Sequence, residues 1–411
     1  MKILMLTPYL PYPLLSGGQV RSFNLIKKMA EKHEITLFAL IRDEKEKDYI
    51  SELEKYCAQV RVFKRAAKPF TFQNILRAGL TSFTKNNYPF VVIRNYSSEA
   101  YEAVKEELHH QHYDLIHAET FYMMPHIPQT HVPKLLVEQT IEYLGYESFA
   151  QNIKPPFNLL FKPFFNWDIK KIKKWERHYW RSCNLLVTMS EEDKKLIAKD
   201  LSPSKQRIEV VANGVDIKFF QQSKKAVKIA EPTVLFVGTF KWLPNIEAAQ
   251  FLVEEVWPLI KAQIKNAKLW IVGNAPTPEV LAFANKEKNI VVTGGIPDIR
   301  DAYNNSHIIC APVFSGKGTR YKILEAMATA TPIVATSTAV EGLNITEKQA
   351  LIADTPEDMA QAAIKLLNDP QLQKTLARNG QSYVAKHYDW DIIARKLDQL
   401  YQAIDRAAQK K

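Results

Sequence analysis

The chain has 411 residues, 46% hydrophobic, 24% charged and 11% aromatic. That composition argues against a disordered chain and gives about two domains with cores of their own. The formal net charge of +11, from 55 Lys and Arg against 44 Asp and Glu, suits polyanionic partners: nucleic acid, phosphorylated ligands or an anionic membrane surface. Cys57, Cys183 and Cys310 show no C-x-x-C spacing. This excludes a disulfide framework, argues against zinc and fits buried reduced thiols of a cytosolic protein.

Taken in order, the chain alternates apolar strand-like runs with helical patterns, which favours a parallel α/β sheet. Lys2–Thr7 reads as a buried first strand, too short for a signal h-region. A Pro-rich loop and Ser16-Gly17-Gly18 follow, then a helix with Phe23, Leu25, Ile26 and Met29 inward. Further strands are expected at 34–41, 60–63, 115–117, 135–137, 185–188 and 208–211. Ser190-Glu191-Glu192-Asp193 is a helix start. Asn213-Gly214-Val215-Asp216 is a turn that would join two halves, followed by a polar stretch from Gln221 to Pro232. The second half repeats the plan with strands at 233–238, 267–273, 290–292, 308–313, 332–335 and 350–352 and a helix from Asn245 to Ile264. Thr355-Pro356-Glu357-Asp358 opens another helix. No apolar stretch is long enough to cross a bilayer. The chain is therefore expected to stay in the cytoplasm.

The most informative stretch is Ser315-Gly316-Lys317-Gly318-Thr319-Arg320-Tyr321-Lys322-Ile323-Leu324-Glu325. It reads as a glycine loop between a strand and a helix. Glycines let backbone approach a ligand, and a helix start presents unpaired N–H groups. Arg320 and Lys322 oppose the helix dipole there unless an anion lies between them. Glu325, one turn later, can accept hydrogen bonds from sugar hydroxyls. Phosphate and ribose chemistry together suggest a nucleotide or nucleotide-sugar site, against the plainer reading of an ordinary loop with exposed charges.

Several stretches together resemble the GT-B-fold glycosyltransferases of family 4, the retaining group 1 transferases. They are Phe236-Val237-Gly238 with Trp242-Leu243-Pro244-Asn245, Leu269-Trp270-Ile271-Val272-Gly273, Gly318 through Ala328, Pro332-Ile333-Val334-Ala335-Thr336 and Glu341-Gly342. The first half matches more loosely, through Gly17-Gly18 with Arg21, Glu138 to Glu142 and Thr188-Met189-Ser190-Glu191. The resemblance implies two Rossmann-like doubly wound parallel-sheet domains facing across a cleft. Residues 1–212 would form the acceptor-side domain, with a C-terminal helix, 391–411, packing back on it; 213–390 would bind the nucleotide sugar.

By position, the resemblance gives Glu325 the ribose, Ile296 a place beside the base, and Gly318, Thr319, Gly17 and Gly18 the diphosphate or donor sugar. Lys241, Arg320 and Lys322 would carry charge for the leaving phosphates. Fixed cations stabilise charge developing on that leaving group, so the scheme needs neither metal nor cofactor beyond the donor itself. The one D-x-D match, Asp389-Trp390-Asp391, reads as the start of the last helix.

Two departures stand out. The family's E-x7-E would put Glu at position 317, where this chain has Lys317, and Gln139 stands where a histidine is usual. Either Gln139 orients the donor while the leaving phosphate takes the acceptor's proton, or catalysis is weak or lost. His117 and Glu119 are further candidates, His117 reading also as a satisfied structural histidine. The 157–181 segment mixes Phe and Trp with seven Lys and Arg and fits either a peripheral membrane contact or a solvated surface helix. The function expected is transfer of a sugar from a nucleotide-diphosphate sugar to a glycan or lipid-linked acceptor, without nucleic acid. The alternatives are a non-catalytic sugar-nucleotide binder or another GT-B enzyme such as a nucleotide-sugar epimerase.

Overall fold

The computed structural model describes residues 1–65, 88–151, 157–222, 231–316 and 318–408, without the side chains of 157–161. Most of the polar stretch after Gln221, namely 223–230, lies outside the described residues. Strands form where the sequence runs apolar without alternation, because a parallel strand covered on both faces meets no water. The first half supplies β1 (Lys2–Thr7), β2 (Glu34–Ile41), β3 (Gln59–Lys64), β4 (Leu115–Glu119), β5 (Lys134–Glu138), β6 (Leu185–Thr188) and β7 (Ile208–Val210). The second supplies β8 (Thr233–Val237), β9 (Lys268–Val272), β10 (Ile290–Thr293), β11 (Ile308–Ala311), β12 (Ile333–Ala335) and β13 (Leu351–Ile352). Each expected strand is present, with ends shifted by one or two residues.

The strands pair in parallel in two sheets, ordered β3-β2-β1-β4-β5-β6-β7 and β10-β9-β8-β11-β12-β13. Both are doubly wound, as the alternation of elements implies. The strand order reverses between β1 and β4 in one sheet and between β8 and β11 in the other. In open parallel sheets ligands bind beyond the carboxyl ends of the strands at such a reversal. The chain divides into two compact units, residues 1–212 with 394–411 and residues 213–393.

Local signals set the helix starts. The helix α1 (Gly17–Met29) is capped by Ser16, whose hydroxyl accepts from the Gln19 amide, and it buries Phe23, Leu25, Ile26 and Met29. Ser190 caps its helix in the same way, and Thr355 caps α7 (Pro356–Asn368). The single helix expected from 245 to 264 is instead interrupted. It begins as α4 (Leu243–Phe251), widens into a π-turn at Leu252–Val256 and resumes at Trp257–Gln263. Pro258 has no N–H, and its ring crowds the carbonyl of Glu254, which the wider turn relieves. The last helix, α8 (Trp390–Ala408), follows Asp389, whose carboxylate accepts from the Asp391 amide. It buries Ile393, Leu397, Leu400 and Ile404. All three thiols are buried, and burial pushes each up to about 12, which keeps them protonated.

Candidate functional site

In the C-terminal unit the chain leaves β11 through Pro312–Arg320 and enters α6 (Tyr321–Ala328). Gly316 and Gly318 have φ of 89° and 94°, a region that side chains disfavour, so the loop's path depends on glycine. Arg320 stands at the cap position and turns back on its own loop, donating to the carbonyls of Ser315 (3.0 Å) and Gly316 (2.7 Å). Burial lowers its pKa. The Thr319 hydroxyl accepts from Asn213 Nδ2 at 3.0 Å. Lys317 lies outside the described residues.

Lys322 is the unusual member. It is 8% exposed, its Nζ donates to Asn245 Oδ1 at 3.0 Å, and it sits 4.4 Å from the centroid of the Phe236 ring. Asn245 is itself fixed by donating to the Thr239 carbonyl at 2.9 Å. Burial first, and the charge of Arg320 second, push Lys322 down to about 7. Glu325, one turn on, accepts from Tyr303 Oη at 2.7 Å. Burial pushes its carboxyl up, opposed by that hydrogen bond and by Lys322. Tyr303 comes from α5 (Ile299–Asn304) and is fully buried.

Asn245 therefore ties Lys322 to the segment after β8, on whose exposed turn Lys241 sits. Lys241 forms no ion pair among the described residues. Ile296 is half-buried on the loop after β10, and no hydrogen bond joins it to Lys322 or Glu325. Asn245 and Tyr303 had no assigned role in the sequence reading. Asn245 was visible only as part of a motif. Tyr303 carries the general signal that a buried phenol needs a partner.

In the N-terminal unit, Gly17 and Gly18 form the first turn of α1, after β1, and Gln139 follows β5. Gln139 Nε2 donates to Glu119 Oε2 and to Tyr9 Oη, both at 2.6 Å. Glu119 Oε1 lies 3.1 Å from His117 Nε2, and His117 Nδ1 meets the Tyr401 hydroxyl of α8. His117 is thus a fully buried, doubly bonded histidine within β4. Burial would raise the Glu119 carboxyl, but the bond and charge of His117, the charge of Arg21 and the Gln139 bond outweigh it and hold it below its usual range. Arg21 is buried and donates to the Ala212 carbonyl at 2.9 Å.

Two further features lie beside these. Glu176, from α3 (Phe157–Ser182), accepts the amides of Glu142 and Tyr143 at the start of α2 (Glu142–Gln151). Burial and nearby carboxylates push Glu138 and Glu176 well above the carboxylate range. On its outer face α3 exposes Lys162, Lys170, Lys174, His178 and Arg181 with no acidic residue among them. Lys173 and Arg177 instead pair with Asp200. Phe149, 59% exposed, packs against Phe165 near the start of that helix. No described helix is long and apolar enough to cross a membrane, and no three-ligand metal cluster occurs among the described residues.

A family profile described as Glycosyltransferase Family 4 matches residues 15–219, and one described as Glycosyl transferases group 1 matches residues 231–369. The chain belongs to the group 1, family 4 glycosyltransferases. It is 20% identical to an uncharacterised 44.6 kDa protein in the cps region of Klebsiella pneumoniae, over 94% of this chain and 96% of that one. It is 24% identical to the phosphatidyl-myo-inositol mannosyltransferase of Mycolicibacterium smegmatis over 208 residues. That match covers 49% of this chain and 53%, about half, of the mannosyltransferase. Among solved structures, Anabaena HepE in complex with UDP and glucose superposes with a TM-score of 0.67 at 15% identity, over 98% of this chain and 100% of HepE. That neighbour supports the GT-B fold.

Proposed function

We propose that this glycosyltransferase takes a sugar from a nucleoside-diphosphate sugar, holds the diphosphate with Lys322, Arg320 and Lys241 and the loop amides of Gly318 and Thr319, and passes the sugar on with its anomeric configuration retained. The observation that carries this reading is Lys322. A lysine buried at 3.0 Å from a single amide oxygen and pushed down to about 7 makes no ion pair among the described residues, and the charge of Glu325 offsets its burial only in part. A diphosphate would supply the counter-ion, and the cation would then stabilise the charge that develops as the bond to the sugar breaks. Glu325 is left with a carboxylate oxygen for ribose while Tyr303 holds the other. Ile296 would flank the base, and Gly17, Gly18 and Gln139 would serve the donor from the N-terminal unit. With three cations at the leaving group the scheme has no step that calls for a metal. Retention rests on the family resemblance, and the binding of UDP by HepE makes uridine a natural first probe.

The acceptor is a glycan or a lipid-linked sugar. The unpaired basic face of α3 with aromatics at one end suits an anionic bilayer surface. The test is incubation of the full chain with UDP- and GDP-sugars, with and without EDTA, reading nucleoside diphosphate release and the anomer of the product by NMR. Release that survives EDTA, with a retained anomer, is expected; an inverted anomer or an EDTA-dependent reaction contradicts the scheme. Gln139 in place of histidine favours one second reading, a sugar-nucleotide binder without catalysis. Tight donor binding with neither hydrolysis nor transfer would select it.

A further inference from the structure

At Gln139 the chain departs from the histidine that the family resemblance expects, and the surroundings determine which end of the amide meets a ligand. A carboxylate accepts hydrogen bonds and donates none, so the Gln139 atom 2.6 Å from Glu119 Oε2 is the NH2 group. The other hydrogen of that NH2 points to Tyr9 Oη, also at 2.6 Å, and Tyr9 lies 3.2 Å from Ser22 Oγ. Both amide hydrogens are engaged by protein. The remaining atom, Oε1, accepts nothing among the described residues and sits against Gly18, where a Cβ would come within 2.6 Å of it. Flipping the amide would set two oxygens 2.6 Å apart with no proton between them. The clamp is itself anchored, since the other Glu119 oxygen is held by His117 and His117 by Tyr401.

We propose that Glu119 is a positioning residue that fixes Gln139 as a hydrogen-bond acceptor, so that the chain requires a free hydroxyl on the sugar at the position Gln139 meets. An imidazolium at this place could donate to an oxygen that bears no hydrogen; the clamped amide cannot. A sugar with a carboxylate, a carbonyl or a fluorine at that position is rejected. The inference rests on the glycosyltransferase reading above.

The test uses UDP-glucose, UDP-galactose and GDP-mannose and, for each, the analogues with one hydroxyl replaced by fluorine, which accepts but does not donate. The quantity read is the ratio of kcat/KM for hydroxyl over fluorine at each position, in the full chain and in Glu119→Gln and Gln139→Met. At one position the ratio is expected to fall about tenfold in both variants, with the ratios at the other positions unchanged; a loss of fold alone would not select one position. Should Glu119→Gln lose cooperative unfolding, Glu119→Asp, which keeps the charge but withdraws it by one methylene, carries the same expectation. Unchanged ratios at every position overturn the proposal and leave the glycosyltransferase reading standing. A wild-type chain that turns over none of these donors overturns both.

Discussion

In the N-terminal unit the buried Glu119 carboxylate takes hydrogen bonds from His117 and Gln139 and feels the charge of Arg21. In the C-terminal unit the buried Lys322 finds one amide oxygen and a ring face, with Arg320 as a like-charged neighbour and Glu325 as a weaker opposing charge. The same burial thus leaves one acid more acidic than usual and one base less basic. Burying a charge is costly unless it is paired, so the first arrangement is satisfied within its own unit, whereas the second is left under-paired, as the proposed diphosphate site requires. A buried ion therefore marks a binding site when its own structure leaves it under-paired.

Breaking that contrast is expected to give its largest effect at Glu119. Glu119→Leu leaves His117 and the Gln139 amide without their buried acceptor and removes the negative charge felt by Arg21, and is expected to cost about 3–5 kcal/mol in chemical denaturation. Lys322→Met is expected to lower donor kcat/KM by about 100- to 1,000-fold while leaving apo stability unchanged or raised. A stability loss matching that of Glu119→Leu would erase the distinction between the two units. Glu325→Ala and Arg320→Ala each remove a hydrogen bond involving a charged group, worth about 1.5–3 kcal/mol, and are expected to weaken donor use accordingly.

Lys322 is shifted down and Glu138 and Glu176 are shifted up, so their contributions to stability change with pH in opposite senses. Lys322 is depressed to about 7 in the folded chain. The unfolded chain therefore holds more protons than the folded one between about 7 and the ordinary lysine value, and apo stability rises with pH across that window. A diphosphate prefers the charged amine. Nucleoside diphosphate binding should weaken as pH rises through 7 and should take up a proton just above it, which calorimetry in buffers of different ionisation enthalpy would detect. Proton-neutral binding there would remove Lys322 from the phosphate site. Glu138 and Glu176 are raised by burial and by neighbouring carboxylates, so the folded chain holds the extra protons. Their contribution to stability is present below the ordinary carboxyl value and declines as pH rises towards their folded values. Glu176→Gln is expected to flatten the fall of the thermal midpoint between pH 5 and 8. The smallest effect is at a cap: Thr355→Ala is expected to cost about 1 kcal/mol.

The central strands were legible because they lie covered on both faces, which demands a run such as Ile3-Leu4-Met5-Leu6 that no turn or surface helix would carry, whereas edge strands such as β3 are only half-buried. The helix starts were legible because a cap is a contact over three residues, as from Ser16 to Gln19 or Thr355 to Asp358. The interruption at Leu252–Val256 was less so: Pro258 signals trouble, but the sequence does not say whether a helix kinks, stops or widens. The glycine loop and the charges of Arg320, Lys322 and Glu325 could be named from their order along the chain. The partners that give those charges their state could not. Asn245 and Lys322 stand 77 residues apart, and Tyr303 and Glu325 stand 22 apart.

By itself the sequence determined the alternating elements, their parallel class, the loop chemistry and the family, since all of these are written in local pattern and order. Only the tertiary structure decided the strand order with its two reversals, the depth at which Lys322 is buried and the direction in which Gln139 presents its oxygen. Those depend on groups brought together across β4, β5 and α1, or across β8 and α6. Burial and hydrogen-bond geometry, which set both a pKa and the facing of an amide, exist only once those elements have packed.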